Sequence, residues 1–121
     1  AMLLDRFRLD EKVALISGAG RGIGRAIAEG FAEVGAETIL VARTQSEVRA
    51  AANAAGRFGR RAIPVAAAMA DPAARESVVE MAIDRFNKID ISVNAAAVGW
   101  PGENPRETPG GKDFLSTTPP A

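Results

Sequence analysis

Four glycines fall within eight residues, Ser17-Gly18-Ala19-Gly20-Arg21-Gly22-Ile23-Gly24, and they are the densest chemical signal in the chain. Glycine lets a backbone turn sharply and lets a bound group come close, because no side chain intervenes. An apolar run, Val13-Ala14-Leu15-Ile16, precedes the cluster, and a helical pattern begins at Gly22. The first turn of a helix offers unpaired N–H groups and the positive end of the helix dipole to an anion. Strand, glycine turn and helix start together read as a cradle for the phosphates of a cofactor; the alternative is an ordinary tight turn between a strand and a helix. Two arginines bear on the choice of cofactor. Arg21 lies inside the turn, and Arg43 closes a second apolar run about twenty residues further on, where a carboxylate would take the ribose 2′-hydroxyl of NAD and an arginine the 2′-phosphate of NADP. Guanidinium binds phosphate in a bidentate fork, and no acidic side chain follows Arg43 before Glu47. The expected cofactor is therefore NADP, with NAD less favoured; the alternative is two exposed loop arginines.

The elements that must position these groups can be read along the chain. Val13–Ile16 is a strand buried on both faces. A helix follows from Gly22, with Ile23, Ala26, Ile27, Phe31 and Val34 as its apolar stripe and Gly35 as its stop. Thr38-Ile39-Leu40-Val41-Ala42 is a second strand, and Ser46 caps a helix that runs to Ala55 and ends at Gly56. Arg57-Phe58-Gly59-Arg60-Arg61 reads as a solvated basic connection into a third strand, Ala62-Ile63-Pro64-Val65-Ala66, where Pro64 implies an edge position. Asp71 and Pro72 form the cap and first turn of a helix to Phe86 that buries Val78, Val79, Ala82 and Phe86. Ile89-Asp90-Ile91-Ser92-Val93, ending at Asn94, is the fourth strand. This alternation implies an α/β fold, a Rossmann-type doubly wound parallel sheet, partial, with right-handed crossovers. Residues 1–98 read as a dinucleotide-binding half-domain, and residues 99–121, rich in proline and glycine, as an irregular loop and tail.

Composition removes several classes of function. With 15 basic and 15 acidic side chains the formal net charge is zero, which gives no electrostatic case for nucleic acid or an anionic membrane as partner. No apolar run approaches a membrane span, and no signal-peptide pattern opens the chain, so a cytoplasmic protein is expected. The absence of cysteine and histidine excludes disulfides, thiolate or histidine metal sites and a serine–histidine hydrolase. No metal site is expected.

The glycine spacing is not G-x-G-x-x-G, which would need glycine where Ile23 stands. Ser17-Gly18-x-x-x-Gly22-x-Gly24 resembles the T-G-x-x-x-G-x-G signature of the short-chain dehydrogenase/reductase family, and the approach Leu9-Asp10-Glu11-Lys12-Val13-Ala14-Leu15 is similar to that family's first strand. Asn94 and Ala96 match its fourth-strand motif N-N-A-G, whereas Ala95 and Ala97 depart from it, as does Ala68 where an aspartate is usual. The resemblance implies strand order 3-2-1-4 and a cofactor site made of Ser17, Gly18, Arg21, Gly22, Ile23, Gly24, Arg43, Met69, Asn94 and Ala96. In it Met69 covers the adenine, and Asn94 with Ala96 lines the nicotinamide ribose. On its own, a strand-end asparagine is an ordinary turn former.

The family's proton donor is a tyrosine in Y-x-x-x-K, and this chain contains no tyrosine. No catalytic residue is therefore assigned, and the likeness, over about residues 9–114, covers the cofactor-binding half only. The implied function is an NADP(H)-dependent oxidoreductase that interconverts a carbonyl and an alcohol on a small molecule, its catalytic half lying outside this chain. The open edge of the fourth strand implies a homo-oligomer. Two readings stand beside it. The missing tyrosine suits a non-catalytic nucleotide-binding or regulatory protein. Gly18-x-Gly20-x-Gly22 also suits an S-adenosylmethionine-dependent methyltransferase, although Arg43 opposes it by standing where an acidic residue would hold ribose hydroxyls.

Overall fold

Strands with apolar side chains on both faces need a sheet covered on both sides, and that requirement organises the fold. The computed structural model describes residues 3–95. A short 3-10 helix (Leu3–Phe7) leads into β1 (Val13–Ser17), α1 (Gly22–Glu33), β2 (Glu37–Ala42), α2 (Gln45–Gly56), β3 (Ala62–Ala66), α3 (Pro72–Phe86) and β4 (Ile91–Asn94). The sheet is parallel, in the expected order β3-β2-β1-β4. β1 pairs with β2 from Val13–Glu37 to Ser17–Val41, and with β4 from Ala14–Ile91 to Ser17–Asn94. Ala96, residues 97 and 98 and the expected 99–121 tail lie outside the described residues.

Side chains alternate between two cores. Ala14, Ile16 and Leu40 face α1 and α2, meeting Ala28, Ala32, Val48, Ala51, Ala52 and Ala55. Val13, Leu15, Ile39 and Val41 face α3, meeting Val78, Ala82 and Phe86. Ile16, Ile39, Leu40, Val41 and Val48 are fully buried, each worth about 1.5–3 kcal/mol against exposure. Alanines on α1 and α2 let these helices lie close to the sheet.

Several element ends differ from the sequence reading. The apolar stripe expected on α1 is rotated: Gly24, Ala28 and Ala32 face the sheet, Ile27 and Phe31 are half-buried, and Ile23 is 78% exposed. On α3 the buried line is Val78, Ala82 and Phe86, and Val79 lies on the exposed flank. α2 starts at Gln45 behind Thr44, so Ser46 is inside the helix rather than its cap. Gly35 stops α1 as expected: at φ +104° it donates to the Ala32 carbonyl while Ala36 donates to Phe31, a Schellman closure. β4 starts at Ile91 rather than Ile89, because the Asp90 side chain takes the place of a ladder bond. Val13 N–H donates to Asp90 Oδ2 at 2.9 Å, and Asp90 N–H donates to the Val13 carbonyl at 2.9 Å.

The basic connection is solvated as expected, with Arg57, Gly59 and Arg61 exposed, and its arginines also reach partners on neighbouring elements. Arg57 pairs with Glu29 at 3.6 Å, and Arg60 Nε donates to the Gly35 carbonyl at 2.9 Å. Arg61 donates both arms of its fork to Glu37, at 3.2 and 2.8 Å, and lies over the Phe86 ring, 4.3 Å from its centre. The reason is local: Arg61 immediately precedes β3, beside the start of β2, where Thr38 N–H donates to its carbonyl.

The Val13–Asp90 pair makes stability sensitive to pH. The Val13 N–H foremost, then the Lys88 ammonium 3.0 Å away, hold the Asp90 carboxyl below the usual carboxylate range. A carboxyl whose folded pKa is depressed stabilises fully above its unfolded pKa, near 4, and loses that contribution as pH falls through the folded value. Urea denaturation of Asp90→Asn should therefore show a deficit against the parent at pH 7 that shrinks steadily below about pH 4.

Candidate functional site

β1 delivers the chain to the glycine turn at Ser17, and one backbone conformation and two contacts then fix the turn. Gly18 takes φ +71°, a left-handed conformation that glycine adopts without strain. Ala19 N–H donates to the Val41 carbonyl at 3.1 Å, which ties the turn to the end of β2. Gly24 rests on the turn itself, because a Cβ there would collide with the Gly18 carbonyl and reach Ala95 at 3.2 Å. That contact sets the rotation of α1 and explains why the small residues Ala28 and Ala32, rather than Ile23, face the sheet.

The mouth of the turn is open. Gly22 takes φ +63°, and a Cβ on it would meet nothing within 4 Å. Arg21 caps α1 with extended backbone and no side-chain hydrogen bond to the first turn. The first N–H groups of a helix of 12 residues thus face open space with no side chain capping them, at the positive end of the helix dipole. This is the donor set an oligophosphate needs.

The strand ends place the other expected residues around that mouth. Ser17 is buried, and its hydroxyl donates to Asn94 Oδ1 at 3.0 Å across the β1–β4 pair. Ala95 N–H donates to the Ser17 carbonyl at 3.0 Å, so the ladder continues one step past β4. With its oxygen engaged, the Asn94 amide keeps its N–H donors. Arg43 follows β2 directly and is exposed, as is Arg21, and neither forms an ion pair among the described residues. Met69 lies beyond β3, half-buried against the α3-side core, while Ala68 beside it is exposed. Ile23 projects outward from the first turn of α1, and Ala96 lies outside the described residues. Ser17, Gly18, Arg21, Gly22, Ile23, Gly24, Arg43, Met69 and Asn94 therefore gather along the carboxyl ends of the strands. There β1 sits between β2 and β4 at the point where strand order reverses, the usual ligand crevice of such sheets. A hollow of about 370 Å³ between β3 and α3, lined by Ile63, Val65, Val78, Met81 and Arg85, lies on the α3 face instead and holds none of these groups.

One neighbour of the turn had no role in the sequence reading. Glu47, in the first turn of α2, puts its Cβ and Oε2 each 3.1 Å from the position a Cβ on Gly20 would take, and Ala42 Cβ stands at the same distance. Its only sequence signal is its place four residues after Arg43.

Because the atom under Gly24 is backbone and cannot move aside cheaply, Gly24→Ala should cost about 1–3 kcal/mol in chemical denaturation and weaken binding of phosphorylated cofactors to the fraction that folds.

The sequence matches the short chain dehydrogenase family over residues 12–110. It is 48% identical over 93 residues to an uncharacterised oxidoreductase of Mycobacterium tuberculosis, which covers 77% of this chain and 35% of that protein. The L-sorbose reductase of Gluconobacter frateurii, solved with NADPH and L-sorbose, is 43% identical and superposes with a TM-score of 0.73 over 76% of this chain and 35% of its own. The carveol dehydrogenase of Mycobacterium avium, solved with NAD, is 28% identical with a TM-score of 0.75 over 84% of this chain and 41% of its own. The chain spans about a third of the length of the curated relatives it matches. By sequence, fold and the glycine turn at the end of β1, the chain belongs to the short-chain dehydrogenase family of oxidoreductases.

Proposed function

We propose that this chain is the cofactor-binding part of an oxidoreductase that takes NADP(H) in preference to NAD(H) and interconverts a carbonyl and an alcohol on a small molecule. The observation that carries the reading is the uncapped first turn of α1, opening over Gly22 between two arginines that form no ion pair among the described residues. The residues fit such a cofactor. The N–H groups of the turn and of α1 would hold its pyrophosphate, Arg43 with Arg21 its 2′-phosphate, and Met69 the apolar face of the adenine. Ser17 acts by positioning, since its hydrogen bond fixes the Asn94 amide at the end of β4, where Asn94 would meet the nicotinamide ribose. When bound, the nicotinamide supplies hydride transfer. The chain's own contribution is binding and orientation: with no tyrosine in these 121 residues, it carries no equivalent of the family's proton donor.

A charge-assisted hydrogen bond is worth about 1.5–3 kcal/mol. Replacing Arg43 by Gln should accordingly lower the ratio of NADPH to NADH affinity by about 10- to 100-fold, with NADH binding little changed. Calorimetric titration of both cofactors into the full chain measures it, and equal affinities in the unsubstituted protein would remove the case for a 2′-phosphate site.

A further inference from the structure

We propose that Glu47 is a specificity residue of this site: its carboxylate is a negative charge placed beside the 2′-phosphate position, and it limits the preference for NADP(H) over NAD(H). The inference rests on the reading that Arg43 meets the 2′-phosphate, and it follows from where α2 begins. Gly20 and Ala42 are the chain neighbours of Arg21 and Arg43, and Glu47 touches the space between them. Its Oε2 and Cβ, and Ala42 Cβ, all lie 3.1 Å from the position of a Cβ on Gly20. Glu47 thus fills the notch where the backbones bearing the two arginines meet. A Cβ on Gly20 would press on it there, so the glycine eases its approach.

Among the described residues Glu47 forms no ion pair, and Arg21 and Arg43 form none either, whereas Arg25, Arg57 and Arg61 all pair with carboxylates. A ligand carrying a phosphate dianion toward Arg43 therefore meets a like charge next to its partner. A ligand carrying a hydroxyl at the same place does not. The pyrophosphate, common to both cofactors, meets the Glu47 charge equally in each, so the added repulsion on the 2′-phosphate is what changes their ratio.

Titrating NADPH and NADH separately into the full chain, its Glu47→Gln and Glu47→Ala variants and Arg43→Gln tests this. At low salt both Glu47 variants should raise the NADPH to NADH affinity ratio by about 3- to 10-fold, as expected for one charge acting at short range near a protein surface. NADH affinity should rise by less than NADPH affinity, and the gain in the ratio should shrink at about 0.5 M salt as screening grows. Glu47→Asp, which keeps the charge on a shorter stem, should stay closer to the unsubstituted protein. If Arg43→Gln lowers the ratio while both neutral Glu47 variants leave it within about twofold, or lower it, the role of Glu47 is refuted and that of Arg43 stands. If Arg43→Gln leaves the ratio unmoved, the 2′-phosphate reading falls and this inference falls with it.

Discussion

The contact of Gly24 with the Gly18 carbonyl is the constraint on which the rest of the structure depends. It brings the start of α1 directly onto the end of β1, closer than any side chain permits. A helix seated that way has its rotation set, so the residues one and two turns later must be small where they meet the sheet, and Ala28 and Ala32 are. The same seating aims the first N–H groups of α1 over Gly22 rather than into protein. Closeness of packing and openness of the glycine turn are therefore two results of one backbone contact.

Much of this was legible in the sequence, for identifiable reasons. Doubly buried strands announce themselves as unbroken apolar runs, and β1 and β2 are such runs. Asp71 with Pro72, and Gly35, are helix signals whose chemistry is local, and both act as expected. Properties that depend on distant partners were not legible. The face that α1 buries is decided by the Gly18 carbonyl, so a stripe counted from hydrophobicity selected Ile23, which points to solvent, over Gly24. Val79 on α3 is 41% exposed because the line that meets the sheet is Val78, Ala82 and Phe86, four residues apart, and its neighbour Val79 falls beside that line. A run of charges carries no record of its partners either. The carboxylates that engage Arg57 and Arg61, on Glu29 and Glu37, lie more than twenty residues away in sequence.

The candidate site divides along the same line. Its glycines and the asparagine at the end of β4 could be read because each does a job its residue type alone can suggest. Register then explains their assembly: Ser17 is level with Val41 on one side and Asn94 on the other, so one residue of β1 touches both banks of the crevice. Glu47 could not be placed in advance, because its approach to Gly20 depends on the angle at which α2 leaves the sheet.

The pairing of Val13 with Asp90 spans 77 residues of sequence, and that span has a meaning in time. During synthesis at roughly 5–20 residues per second, β1 and its glycine turn emerge about 4–15 s before the strand that lies along their open side. β2 and β3 arrive sooner and lie on the other flank, so one half of the crevice can assemble while Ser17 still lacks Asn94. Entropy of loop closure grows only slowly with length, so the late strand is not penalised much for its distance. What the delay imposes is an order. The glycine turn can form on the nascent chain first, and the side of the crevice bounded by β4 is completed last.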